Sequence, residues 1–96
     1  MDEGDLDTRA RRDIETLIDL LKPEDRQFIR DLEESELIRL HRGYGTWLRN
    51  QFRQNRFPDL FRLCYARTTP ENRSFDEISE IAIREIWHYL RSSSLK

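Results

Sequence analysis

The sequence predicts an all-α fold, a compact single-domain bundle of four to five helices. Apolar side chains recur at steps of three and four along most of the chain, which lines one side of an α-helix. Proline, acids and a capping pair stand where helices start. At 96 residues, 36% of them hydrophobic and ten aromatic, the chain suits one modest core.

Residues 1–6 read as a disordered acidic tail, and Asp7 or Thr8 as the cap of a first helix reaching about Lys22. Ile14, Leu17, Ile18 and Leu21 form its apolar stripe. Pro23 stops that helix and opens the next, because proline is tolerated at the first helical position. Glu24 and Asp25 then fall in the first turn, at the positive end of the helix dipole. Phe28, Ile29 and Leu32 supply the apolar side of this short helix. A bend is expected between Glu33 and Glu36, with Ser35 as a cap.

Leu37, Leu40, His41, Tyr44, Trp47, Leu48 and Phe52 continue the helical period through Gly43 and Gly45. Each glycine inside a helix costs about 1 kcal/mol relative to alanine, so two require a reason. Either they let a helix or ligand approach the backbone, or they mark a turn between helices. The unbroken period favours a helix that continues or kinks. Asn55 is a stop, and Phe57-Pro58-Asp59 restarts a helix. The apolar content of Leu60, Phe61, Leu63, Cys64 and Tyr65 suggests that this next helix is central. A loop follows around Pro70. Ser74 and Glu77 are spaced as a capping box before a last helix faced by Ile78, Ile81, Ala82, Ile86, Tyr89 and Leu90. The domain is thus expected over 7–91, with 92–96 a frayed tail. The expected core comprises Leu17, Ile18, Leu21, Phe28, Leu40, Trp47, Leu48, Phe61, Ile81, Ile86 and Leu90.

Charged residues make up 38% of the chain, and the mean hydropathy is −0.87, so most positions face water. The net charge of −2 conceals an asymmetry. Residues 1–38 hold thirteen acids and six bases, whereas 39–73 hold eight arginines against Asp59 and Glu71. Fifteen of the seventeen bases are arginine, which favours forked contacts and stacking. The acidic part either neutralises the basic middle within the fold or leaves it for an anionic partner.

Leu37 to His41, then Gly45 to Asn50, then Asp76 to Leu90 with Trp87, resemble a family of small uncharacterised bacterial helical domains. Its members share a Leu-x-x-x-His segment and a Gly-x-x-Ile/Leu-Arg-Asn core. The resemblance covers roughly residues 24–91 and departs from the family between Gln51 and Thr69. It implies an all-helical fold and supplies no activity.

On a helix, His41, Gly45 and Arg49 lie on one face at i, i+4 and i+8. An imidazole and a guanidinium flanking a glycine gap could hold a carboxylate or phosphate. The favoured alternative is that Arg49 pairs with Asp76 or Glu80, since buried polar groups are usually satisfied internally. The candidate binding residues are His41, Arg42, Arg49, Asn50, Arg53 and Arg56. No catalytic set and no cofactor signature is present, and two histidines with one cysteine fall short of a metal site. The lone Cys64 reads as a small core residue in a reducing cytoplasm. No apolar run is long enough to span a membrane.

These features point to a small cytoplasmic helical protein–protein interaction module: an inhibitor, immunity or accessory factor of bacterial or phage origin. The alternative is a nucleic-acid-binding module using the arginine- and aromatic-rich segment 39–73. The sequence leaves oligomeric state open.

Overall fold

The structure, a computed structural model, describes residues 3–93. Five α-helices and one 3₁₀ helix follow in order: α1 Glu3–Leu20, α2 Pro23–Asp31, the 3₁₀ helix Glu34–Leu40, α3 Tyr44–Arg53, α4 Pro58–Ala66 and α5 Phe75–Ser93. No strand occurs among the described residues. The fold is therefore all-helical, with one element more than the expected four to five. The extra element exists because the chain from Glu34 winds as a separate 3₁₀ segment and turns at His41 to Gly43 before α3 starts. The helical period crosses both glycines, but a continuous helix does not.

α1 begins at Glu3, earlier than the cap expected at Asp7 or Thr8. Residues 3–6 are helical and not a tail, because acids such as Asp5 favour the positive end of a helix dipole. Met1 and Asp2, like most of the expected C-terminal tail, lie outside the described residues; Arg91 to Ser93 still belong to α5. Pro23 opens α2 after extended Lys22. The Arg26 Nε donates to the Ile18 and Leu21 carbonyls at 2.9 and 3.2 Å, so α2 satisfies the last turn of α1. Glu33 and Glu36, with Ser35 between them, form a reciprocal cap on the 3₁₀ helix. At Ser74 only half of the expected box forms. Its Oγ accepts from the Glu77 N–H at 3.2 Å, while the Glu77 carboxylate accepts from Asn72.

α5 is the central element, packing against all the others; α4, expected in that place, lies against α1 and α5. Length explains the difference: α5 has 19 residues and buries Ile78, Ile81, Ala82, Ile83, Ile86, Trp87 and Leu90. Leu17, Ile18, Leu40 and Leu48 join this core as expected, while Leu21 and Phe61 pack at its edge. Two expected core residues do not. Phe28 is 49% exposed, because α2 turns Ile29 and Leu32 towards α5 instead. The Trp87 Nε1 and the Arg91 guanidinium both donate to the Leu32 carbonyl at 2.9 Å, which locks that rotation. Trp47 is 37% exposed and stacks on Tyr44, because Gly45, Leu48 and Phe52 form the buried face of α3.

Candidate binding site

Four arginines along α3 and α4 occupy two contrasting environments. Arg49 projects from the buried edge of α3 towards the start of α5. Its Nε lies 3.3 Å from the Asp76 carboxylate, and one Nη donates to the Ser79 hydroxyl at 3.1 Å. The other Nη donates to the His41 carbonyl and to the Thr46 hydroxyl, at 3.3 and 2.9 Å. Ser79, fully buried, donates in turn to the Asp76 carbonyl. Gly45 makes room for this network: a Cβ there would stand 3.1 Å from the Arg49 Nη1 and 3.3 Å from the Leu40 carbonyl. The close-approach role thus belongs to Gly45, and the turn role to Gly43, whose own Cβ position is open. Arg49 ties the 3₁₀ helix, α3 and α5 together, with Asp76 as its ion-pair partner.

Arg53, one turn further along α3, pairs with no carboxylate among the described residues. It reaches Asn50 at 3.4 Å and covers the Phe75 ring at 4.9 Å. Arg56 reaches the Gln51 side chain at 3.5 Å. Arg62 stands 3.6 Å from Asp59, which is already paired with Arg9 at 3.1 Å. These three guanidiniums rim a cleft of about 410 Å³ at the α3–α4 junction, floored by Phe52, Phe61 and Phe75. The rings pack edge-on or tilted, with Phe61 centroids 5.5 Å from Phe52 and 5.8 Å from Phe75.

The backbone at the rim is held in an unusual form. Asn55 takes the left-handed conformation at φ 61°, and the Asn55 and Arg56 N–H groups donate to Phe52 and Gln51. This is a Schellman stop with asparagine in the usual glycine place. Phe57 is also left-handed, a conformation that costs a bulky residue about 1–3 kcal/mol. Phe57 offers no side-chain cap to α4. Asp13 of α1 does so instead, accepting from the Leu60 N–H at 3.0 Å. Burial raises the Asp13 carboxyl above its ordinary value, opposed by that hydrogen bond and reinforced by Asp59.

Of the expected binding residues, the cleft unites Arg53 and Arg56 alone. Arg49 is internal. Arg42 and Asn50 are exposed, and the Nδ1 of His41 lies 3.8 Å from Glu80 in a separate small pocket. Arg62 and Phe75 complete the cleft from outside the expected set. Arg62 stood out in the sequence only within the arginine-rich middle, and no spacing connects Phe75 with Arg53.

Ion pairs do little to join the acidic segment to the basic middle. Apart from the local Glu36–Arg39 pair, no ion pair among the described residues joins an acid of 1–38 to an arginine of 39–73. Arg49 and Arg67 use Asp76 and Glu85 of α5, and the α1–α4 pair runs the other way, Arg9 to Asp59.

A family model described as a domain of unknown function, DUF6794, matches residues 12–90. The chain belongs to the DUF6794 family. Both the Arg49 network and the arginine cleft lie within the matched span of this DUF6794 domain. Searches of curated proteins and of solved structures return no match. No helix among the described residues is long and apolar enough to cross a membrane. The same residues contain no cluster of three or more metal-ligating side chains.

Proposed function

We propose that this DUF6794 domain is a cytoplasmic protein–protein interaction module, of bacterial or phage origin, which takes an acidic protein surface into its arginine cleft. The observation that carries this reading is the set Arg53, Arg56 and Arg62 around one aromatic floor, with Asp59, the acid that Arg62 reaches, already engaged by Arg9. Guanidiniums at a concave site, two without a carboxylate among the described residues and one sharing Asp59 with Arg9, favour forked contact with further carboxylates. An aromatic floor favours an apolar residue beside them. The function is binding and not catalysis, of the kind an inhibitor, immunity or accessory factor performs. A buried, unpaired Cys64 thiol, pushed up to about 12 by burial, fits a reducing compartment.

A nucleic-acid ligand fits the same site less well. Phe52, Phe61 and Phe75 pack on one another, Arg53 covers Phe75 and Arg73 covers Tyr65, so base-stacking faces are already occupied. The cleft is also short for a phosphate track, and the acidic N-terminal third would repel a long polyanion.

Titration of the labelled domain with a Glu/Asp-rich peptide containing one phenylalanine tests the reading. Amide resonances of the α3–α4 junction should shift, and Arg53→Ala/Arg56→Ala/Arg62→Ala should abolish the shift without unfolding the chain. Fluorescence anisotropy with single- and double-stranded DNA and RNA supplies the counter-test. Silence with the peptide, alongside saturable nucleic-acid binding that collapses with salt, overturns the proposal in favour of the polyanion.

A further inference from the structure

The cleft has a counterpart on the same molecule. On α2, Phe28 is 49% exposed. Helical spacing puts Glu24 and Asp25 one turn before it and Asp31 one turn after it, on the same face. Glu24 and Asp25 pair with no cation among the described residues, and Asp31 accepts from the Gln27 amide at 3.2 Å and lies 3.8 Å from Arg30. An exposed aromatic ring is thus bordered by three carboxylates, and an aromatic cleft is bordered by three guanidiniums. Apolar character and charge both match.

One copy cannot bring the two surfaces together. Phe75 at the first residue of α5 lines the cleft, whereas Trp87 and Arg91 near its last turn hold the end of α2. The sixteen steps of helical rise from Phe75 to Arg91 separate the two regions by about 24 Å along a rigid helix.

We infer that the cleft is filled by a second copy of this chain, which inserts Phe28 and its flanking Glu24, Asp25 and Asp31 between Arg53, Arg56 and Arg62. The inference rests on the reading that the cleft takes an acidic protein surface, and it names that surface. The contact is head-to-tail: each pairing leaves the cleft of one copy and the Phe28 of the other unused, so association extends as an open chain or closes as a ring. Exposed charges on both sides make it sensitive to salt.

Sedimentation velocity on the full chain tests it. The average mass should rise with protein concentration at low salt and fall back towards monomer at high salt. Phe28→Ala and Arg53→Ala/Arg56→Ala/Arg62→Ala should each weaken association about tenfold or more while leaving the melting temperature near wild type. The decisive sample mixes these two variants. Each associates weakly alone, but together they possess one intact ring and one intact cleft, and they should form a heterodimer, tighter than either variant's self-association, that grows no further. A wild-type chain that stays monomeric across the concentration range at low salt overturns the inference. So does association that both variants leave unchanged, or a mixture that forms no heterodimer. If wild type is monomeric yet the acidic peptide still shifts the cleft resonances, self-association falls and the acidic-partner reading stands. If the peptide is silent as well, both fall.

Discussion

Arg49 and Arg53 stand one helical turn apart on α3, yet they belong to different parts of the molecule's chemistry. The Arg49 side chain is 11% exposed and meets a carboxylate, two hydroxyls and a carbonyl. Arg53 is exposed and meets an amide oxygen and a ring face. Arg49 points into the seam between α3 and α5, where a buried donor must be satisfied. Arg53 lies where α3 ends and that seam opens into the cleft. An arginine's role here depends on how completely its fork is already occupied, and sequence position alone does not reveal that.

The largest expected effect belongs to the buried face that sets this contrast. Leu48→Ala, at a fully buried site beside Arg49, should cost about 2–5 kcal/mol in denaturant unfolding. Trp47→Ala, on the outer side, should cost only about 1 kcal/mol, mostly for its stack on Tyr44. Equal losses would mean that α3 is rotated and that the two arginine environments are misassigned.

Arg49→Ala comes next, at about 2–3 kcal/mol, because several charge-assisted hydrogen bonds disappear together. The loss stays below that of a fully buried ion pair because the Asp76 side chain is 64% exposed and rehydrates. Arg53→Ala should stay within about 0.5 kcal/mol of wild type. Melting curves in which Arg53→Ala unfolds as early as Arg49→Ala would erase the comparison.

Asn55→Ala should cost about 1 kcal/mol, because alanine resists the left-handed conformation, whereas Asn55→Gly should match or slightly exceed wild type. Thermal scans of the pair would show whether the α3 stop, which sets Arg53 against Arg56, carries this strain.

The smallest effect concerns Asp13, which anchors the α4 side of the cleft. Its carboxyl is raised above 3.8, so the folded state holds this proton more tightly than the unfolded chain does. The resulting stability is full below the ordinary value and is lost as pH rises through the raised one, the reverse of a salt-bridged acid. Asp13→Asn keeps the acceptor for the Leu60 N–H and removes the charge. The stability difference between wild type and Asp13→Asn should therefore shift in favour of the variant as pH rises above 3.8 through the raised value. A difference that moves the other way would show that the hydrogen bond outweighs burial.

Local rules made the all-helical class, the Pro23 and Pro58 starts, the Asn55 stop and most of the α5 face legible in the sequence, because each depends on neighbours three or four residues away. Asp76 as a partner of Arg49 was legible too, as one of two acids near the start of the last helix. The rotation of α2 was not, because a bond from Trp87 to Leu32, 55 residues apart, turns Ile29 inward and leaves Phe28 outside. The glycine turn was hidden because an apolar period of three to four survives a short 3₁₀ segment and a turn without losing step. The cleft was hidden more deeply: Arg53, Arg62 and Phe75 share no helix and no spacing. Helical periodicity reports which side of a segment is apolar, and by itself it determined the all-helical class and most of the elements of this protein. Which guanidiniums become internal and which remain free depends on distant partners, and only the tertiary packing of α3 and α4 against α5 decided that.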